Sequence, residues 1–265
     1  MKWWRRWWRR PVQPGLARIR FSALRAMDAD ELRAYLTGDR QNALSAVRAA
    51  AHHGIVEAQT MLGQMLLDGE FLPPDAEAAL RWFEAAAGGR HPEAMNMVGR
   101  CHELGWGTSA APDLAARWYR QAAMMGYAWG QYNLANLLLR GHGVAQDRGQ
   151  ALRWYREAAT QCHAKSMNVL GRFHEEGWEV PPDRQVALHW YRRSAEGGDF
   201  RGQYNYATIL LAEGQAASAR QWLRKAVGVG TPEFLTEIGQ KLVLADDTDL
   251  RELGKWALSR GLDPA

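Results

Sequence analysis

Trp82, Trp118, Trp154 and Trp190 recur every 36 residues, and Trp222 follows 32 residues later. Each stands in the same phrase: Arg81-Trp82-Phe83, Arg117-Trp118-Tyr119, Arg153-Trp154-Tyr155, His189-Trp190-Tyr191 and Gln221-Trp222-Leu223. A fixed period of this size belongs to chains built by stacking supersecondary units, each too small to bury its own apolar face alone. Such chains extend by nearest-neighbour contacts and commonly work as binding surfaces. The period therefore weighs against catalysis before any single residue is considered.

The phrase frames four full repeats, 58–93, 94–129, 130–165 and 166–201, and a shortened fifth, 202–233. Each frame predicts two helices. The first opens on a small residue and carries Leu62-Gly63, Val98-Gly99, Leu134-Ala135, Leu170-Gly171 or Tyr206-Ala207. A Gly-containing loop follows, and the second helix carries the Trp phrase. Asp75, Asp147 and Asp183 precede second helices, and Asp147 with Gln150 fits a capping box, which satisfies orphan amide donors at a helix start. Gly88-Gly89, Gly126 and Gly197-Gly198 are placed to stop second helices, since Gly tolerates the left-handed cap. No Val/Ile/Thr-rich alternating run reads as a strand. The tryptophans, at one fixed helical position, are expected in the packing between repeats; Trp118 and Trp154 in particular are expected to be buried.

The pattern Ala-x-x-x-Leu-Gly, Gly, Asp, Ala-x-x-Trp-Tyr-x-x-Ala-Ala, Gly resembles the Sel-1-like repeat (SLR) family, relatives of tetratricopeptide repeats. The clearest copy runs from Gln131-Tyr132-Asn133-Leu134-Ala135 through Gly141-His142-Gly143-Val144, Asp147 and Ala151 to Trp154-Tyr155 and Ala158-Ala159. The resemblance extends over residues 43–227 and implies an all-α, right-handed α-solenoid that binds other proteins without naming the partner. Three places depart from it. Asp113 comes two positions late, the third repeat ends in Gln161-Cys162-His163 where neighbours have Gly, and the fifth has lost four loop residues. The resulting organisation is a Trp/Arg-rich arm (1–15), N-terminal capping helices (16–57), the repeats (58–233) and a closing pair (234–265).

Charge sharpens this reading. The chain has 33 basic and 29 acidic residues, but Lys2, Arg5, Arg6, Arg9 and Arg10 account for five of the basic ones, leaving 28 against 29 in the other 255 residues. The body is nearly neutral and the basicity is an arm, so a broad basic face of the nucleic-acid-binding kind is not expected. Two cysteines, Cys101 and Cys162, are too few for a disulfide framework and fit a reducing compartment. No stretch of 18 or more apolar residues calls for a membrane-spanning helix. A cytoplasmic protein is expected, bacterial because Arg greatly outnumbers Lys.

On a helical wheel the first, fifth and eighth positions of each first helix gather on one side, and the third, seventh and tenth on the other. The second set is the expected lining of a partner-binding groove. It alternates along the chain: Asn96, Arg100, Glu103; Tyr132, Asn136, Leu139; Asn168, Arg172, Glu175; Tyr204, Thr208, Leu211. A solvated face would account for the polar rungs, whereas Tyr and Arg are enriched at binding hot spots.

Catalytic and metal signals are weak. His102-Glu103 and His174-Glu175 lack the second His, four residues on, of a zinc-protease helix; Trp106 and Trp178 stand there. Cys162-His163 are neighbours in sequence, whereas a thiol nucleophile needs a base oriented in space. No glycine loop for phosphate and no nucleophile elbow is present. No cofactor, metal or small-molecule substrate is expected, and the partner is a protein or peptide.

The arm carries the alternative readings. Trp3, Trp4, Trp7 and Trp8 fall on one side of a helical wheel and Arg5, Arg6, Arg9 and Arg10 on the other, the pattern of a helix lying on an anionic membrane surface. No apolar stretch of about 7–15 residues follows, so it is not a secretory signal. A peripheral membrane tether and a nucleic-acid-associated factor are the alternatives this arm raises.

Overall fold

The structure, a computed structural model, describes residues 31, 39–69 and 72–262. The Trp/Arg arm, with Trp3, Trp4, Arg5, Arg6, Trp7, Trp8, Arg9 and Arg10, lies outside the described residues, as does most of 16–38. Thirteen α-helices and no strand occur among the described residues. They are α1 (Arg40–His52), α2 (Val56–Asp68), α3 (Ala76–Gly88), α4 (Pro92–Leu104), α5 (Pro112–Met124), α6 (Ala128–Arg140), α7 (Arg148–Thr160), α8 (Ala164–Glu176), α9 (Arg184–Glu196), α10 (Phe200–Ala212), α11 (Ala216–Val229), α12 (Pro232–Leu242) and α13 (Thr248–Leu262).

The sequence period becomes a helix period. The first helices of the repeats are α2, α4, α6, α8 and α10; each has 13 residues, and their starts lie 36 residues apart. They begin two residues before the expected frame, because each helix starts at its cap and not at its first small core residue. Caps are side chains here: His91 accepts from the Ala94 N–H, His163 from Ser166, and Asp199 from Gly202. Second helices are capped by Asp75, Asp147 and Asp183, which accept from Ala78, Gln150 and both Gln185 and Val186. In the second repeat Asp113 sits inside the first turn of α5, Pro112 takes the first helical position, and no side chain caps. An acid in the first turn still favours the helix dipole.

By contacts the described residues divide into two compact units, those up to Gly130 with His142–Val144, and Gln131–Gly141 with those from Ala145 on. In the first, α1 packs on α2, α2 on α3, α3 on α4 and α4 on α5. Its core gathers Leu80, Phe83, Met95, Met97, Val98, Cys101 and a set of alanines. Burial pushes the Cys101 thiol up to about 11. In the second unit α7 packs on α8, α8 on α9, α9 on α10 and α10 on α11, and α12 pairs with α13. One of its clusters joins Leu210, Leu223, Val227, Phe234, Leu235, Ile238, Leu250 and Leu253.

The tryptophans are not the buried aromatics. Trp82, Trp118, Trp154, Trp190 and Trp222 are all half-buried, whereas Phe83, Tyr119, Tyr155 and Tyr191, each one residue later, are 0–1% exposed. Adjacent helical residues point about 100° apart, so only one of the pair can face the partner helix squarely. That residue is the one after Trp, and the first helix makes room for it. A β-carbon on Gly63, Gly99 or Gly171 would stand 2.7, 2.6 or 2.5 Å from the ring of Phe83, Tyr119 or Tyr191. The Leu-Gly motif is thus the seat of the ring.

Candidate functional site

The residues expected to line a groove start from the same three tyrosines. A wholly buried phenol needs an acceptor for its O–H. Tyr119 donates to Glu103 Oε2 at 2.6 Å, and Tyr191 to Glu175 Oε2 at 2.5 Å. Tyr155 has no acid at that position and donates to Asn136 Oδ1 at 2.6 Å. Burial, reinforced by the neighbouring carboxylate, holds the Tyr119 and Tyr191 hydroxyls far above the ordinary phenol range; for Tyr155 burial alone leads. The alternation seen in sequence is therefore two ways of satisfying one hydroxyl.

In the first unit, Asn96 is buried at 4% exposure, while Arg100 and Glu103 are half-buried. The Arg100 guanidinium lies 4.8 Å over the Trp106 ring, a cation–π contact. In the second unit, Asn168 is buried and its Oδ1 accepts from Asn205 Nδ2 at 2.8 Å, tying α8 to α10. Arg172 is exposed, with its guanidinium 5.1 Å over Trp178. Tyr132 is half-buried against Tyr155 and the His163 ring, 4.9 Å away. Tyr204 meets Phe234 edge-on, with Lys241 Nζ 5.9 Å from its ring, and Leu211 joins the same cluster. Asn136 and Leu139 are half-buried. Glu175 and Thr208 are exposed and line one open hollow of about 580 Å3, shared with Pro182, Asp183, Arg184, Ala187, Ile209 and Ala212.

The wheel positions thus run from buried to exposed, most of them half-buried. The third-position asparagines, Asn96 and Asn168, are buried. Arg172, Glu175 and Thr208 reach solvent. Sequence reasoning passed over Asn205 and gave Trp106 and Trp178 no part in the groove, yet all three hold these side chains in place. Both tryptophans sit 72 residues apart, the same interval as Arg100 and Arg172, and that spacing was their signal.

His163 is a structural group. Its Nδ1 lies 2.9 Å from the Ser166 hydroxyl, its ring caps α8, and burial lowers it to about 4. Cys162 beside it is exposed. Among the described residues no group of three or more His, Cys, Asp or Glu could hold a metal ion, and no helix is long and apolar enough to cross a membrane.

The Sel1 repeat family model matches residues 56–89, 92–127, 130–161 and 164–199, more than half of the chain. The chain belongs to the Sel1 repeat family. Each match holds one whole second helix and all or most of the first helix paired with it, so the four matched Sel1 repeats are the pairs α2–α3, α4–α5, α6–α7 and α8–α9. The pair α10–α11 continues the pattern beyond the last match. The all-α solenoid class read from the sequence is the fold of this family.

Solved structures agree. A Sel1 repeat protein from Oxalobacter formigenes is 23% identical and superposes with a TM-score of 0.73 over 86% of this chain and 97% of that one. The protective antigen c5321 of uropathogenic Escherichia coli, which displays an SLR fold, is 25% identical with a TM-score of 0.67, over 91% of this chain and 56% of its own. The immunity protein Pa5087 of Pseudomonas aeruginosa shares the fold at 15% identity and a TM-score of 0.56, over 78% of this chain and 81% of its own. Among curated proteins no sequence matches the chain. Sel1 repeat proteins in general mediate protein–protein interaction.

Proposed function

We propose that the chain is a non-enzymatic interaction adaptor that presents the first helices of its Sel1 repeats to a protein or peptide partner. The observation that carries this reading is the α8–α10 pair. Arg172, Glu175 and Thr208 stand exposed there, and Glu175 and Thr208 border a hollow whose rim also offers Asp183 and Arg184. Donors and acceptors of both signs surround an apolar floor of Ala187 and Ile209, a mixture suited to a peptide backbone with side chains. The surface is formed in advance. The Asn205–Asn168 bond fixes the two helices, and the Tyr191 hydroxyl holds Glu175. A partner then binds without ordering this surface, which lowers the entropic cost of association.

Site-specific photo-crosslinking tests the proposal in cells that make the full chain. A photoreactive residue at Thr208 is expected to yield a discrete protein adduct that Arg184→Glu suppresses. The same probe at the exposed Leu244, in the turn between α12 and α13, is expected to yield none. No adduct at 208, or equal adducts at both places, would overturn the reading.

A further inference from the structure

The near-neutral total hides a separation of charge within the second unit. Its second helices are basic. In α7 Arg148, Arg153 and Arg156 face only Glu157; in α9 Arg184, Arg192 and Arg193 face only Glu196; α11 carries Arg220, Arg224 and Lys225 with no acid. By contrast α8 balances Lys165 and Arg172 with Glu175 and Glu176. The basic residues also keep register. Arg156, Arg192 and Arg224 each stand two residues after the repeat Trp, and Arg153, His189 and Gln221 one residue before it. Those two positions are three apart and share a helix face. All six side chains are exposed.

Internal needs do not account for this column. Arg192 pairs with Glu196 at 2.9 Å, but no ion pair or hydrogen bond among the described residues engages Arg153, Arg156 or Arg224. Two of the repeat rings already carry other cations: Arg193 lies 5.3 Å over Trp190, and Lys225 3.9 Å over Trp222. A helix dipole favours cations in its last turn only, and Arg153 is at mid-helix. Exposed cations at one register position, without an internal acid to pair them, are open to an anion.

The kind of anion follows from what accompanies the arginines. Among the described residues of this unit the exposed large apolar side chains are Val229, Leu244 and Trp256; none lies on α7 or α9, and Val229 is the last residue of α11, five residues beyond Arg224. A membrane-surface face would bury such groups at headgroup depth. A single-stranded nucleic acid stacks its bases on exposed aromatics, and Trp154, Trp190 and Trp222 are half-buried. A guanidinium with its fork unoccupied pairs two-pronged with a carboxylate. We infer that Arg153, Arg156 and Arg224, whose forks are unoccupied, form a ladder that binds an acidic stretch of a protein partner. The inference rests on the chain being a protein-binding module, but it uses residues other than those of the Thr208 hollow.

The test is fluorescence anisotropy with the full chain and a labelled polyglutamate peptide of about 20 residues, at about 50 and about 200 mM salt. Replacing Arg153, Arg156 and Arg224 by Glu is expected to weaken binding by about tenfold or more. A charge-matched control, Arg140→Glu with Arg201→Glu and Lys255→Glu, is expected to weaken it less than about threefold, because local pairing and not net charge sets the affinity. Changing Arg5, Arg6, Arg9 and Arg10 to Gln separates the arm and is expected to leave the peptide bound. Circular dichroism checks each variant; if the Glu triple does not fold, Gln at the same three positions is read in the same way. Equal weakening by ladder and control overturns the inference. So does loss of binding on changing the arm, or tighter binding of oligo(dT) or phosphatidylserine vesicles than of the peptide. A failed ladder with an intact Thr208 adduct leaves the adaptor reading standing.

Discussion

The hydroxyl of Tyr119 donates to Glu103 across the two helices of one repeat, at 2.6 Å, and this bond explains both residues. Tyr119 is wholly buried, and Glu103 is the group that lets a phenol be there. A hydrogen bond to a charged acceptor contributes about 1.5–3 kcal/mol. Tyr119→Phe is therefore expected to lower the unfolding free energy by about 2 kcal/mol in urea titrations. Tyr155→Ala, which empties a core site, is expected to cost about 3–5 kcal/mol. Trp154→Ala should cost measurably less than Tyr155→Ala; the reverse order would refute the assignment of the core to the residue after Trp.

Gly171 is a seat, not a hinge. Gly171→Ala drives a methyl to 2.5 Å from the Tyr191 ring, and overpacking of this kind costs about 1–3 kcal/mol. Gly228, inside α11 with nothing within 4 Å of an added β-carbon, behaves oppositely. Gly228→Ala is expected to stabilise by about 0.5–1 kcal/mol through helix propensity. Melting temperatures moving in the same direction for both would contradict the packing described.

Arg90, Gly126, Cys162 and Gly198 occupy one position, 36 residues apart, and all have φ between 59° and 85°. The left-handed region costs a residue with a β-carbon about 1–2 kcal/mol. Cys162→Gly and Arg90→Gly are each expected to stabilise the fold by about 1 kcal/mol, part of the relief being offset by the greater freedom of Gly in the unfolded chain. Thermal melts of the two single variants and their double, expected to add, check this.

His163 sets an acid limb. Its folded value, about 4, is below the ordinary 6.5, chiefly through burial and secondarily through Lys165. Between those values the unfolded chain binds the extra proton, so stability rises with pH. The contribution is complete above about pH 6.5 and is lost as pH falls toward 4, amounting to about 3 kcal/mol. His163→Asn keeps a capping side chain and is expected to flatten this limb in denaturation measured from pH 7 to pH 4. Asp199 works with the opposite sign, since burial raises it above the ordinary carboxylate range and its contribution is lost as pH rises.

The period, the helix pairs and the Asp caps were legible because each depends on local chemistry repeated at a fixed interval. The seat of the core aromatic was half-legible. The Trp-Tyr phrase marked the place, but choosing between neighbours required the facing Gly of the other helix. The groove was least legible. A helical wheel separates faces of an isolated helix, and Asn96 and Asn168 lie on the polar side of that wheel yet are buried, Asn168 against Asn205 of the next repeat. Glu103 and Glu175 read as free acids because their partners lie 16 residues away on another helix.

The repeats differ in what they would tolerate under duplication and recombination. Every tyrosine at the core position travels with an acceptor inside its own repeat: Glu103, Asn136 or Glu175. Repeats with Phe83 or Leu223 there carry Leu67 or Leu211 where the acid would be. Phenol and acceptor are thus inherited as one cassette, and substitution at either place is coupled to the other. The Asn168–Asn205 pair crosses from one repeat into the next. A crossover that shuffles whole Sel1 repeats keeps each core phenol with its acceptor, whereas the amide pair survives only where a repeat with Asn at the place of Asn168 is followed by one with Asn at the place of Asn205, so the order of the repeats, and not only their number, is written into the chain.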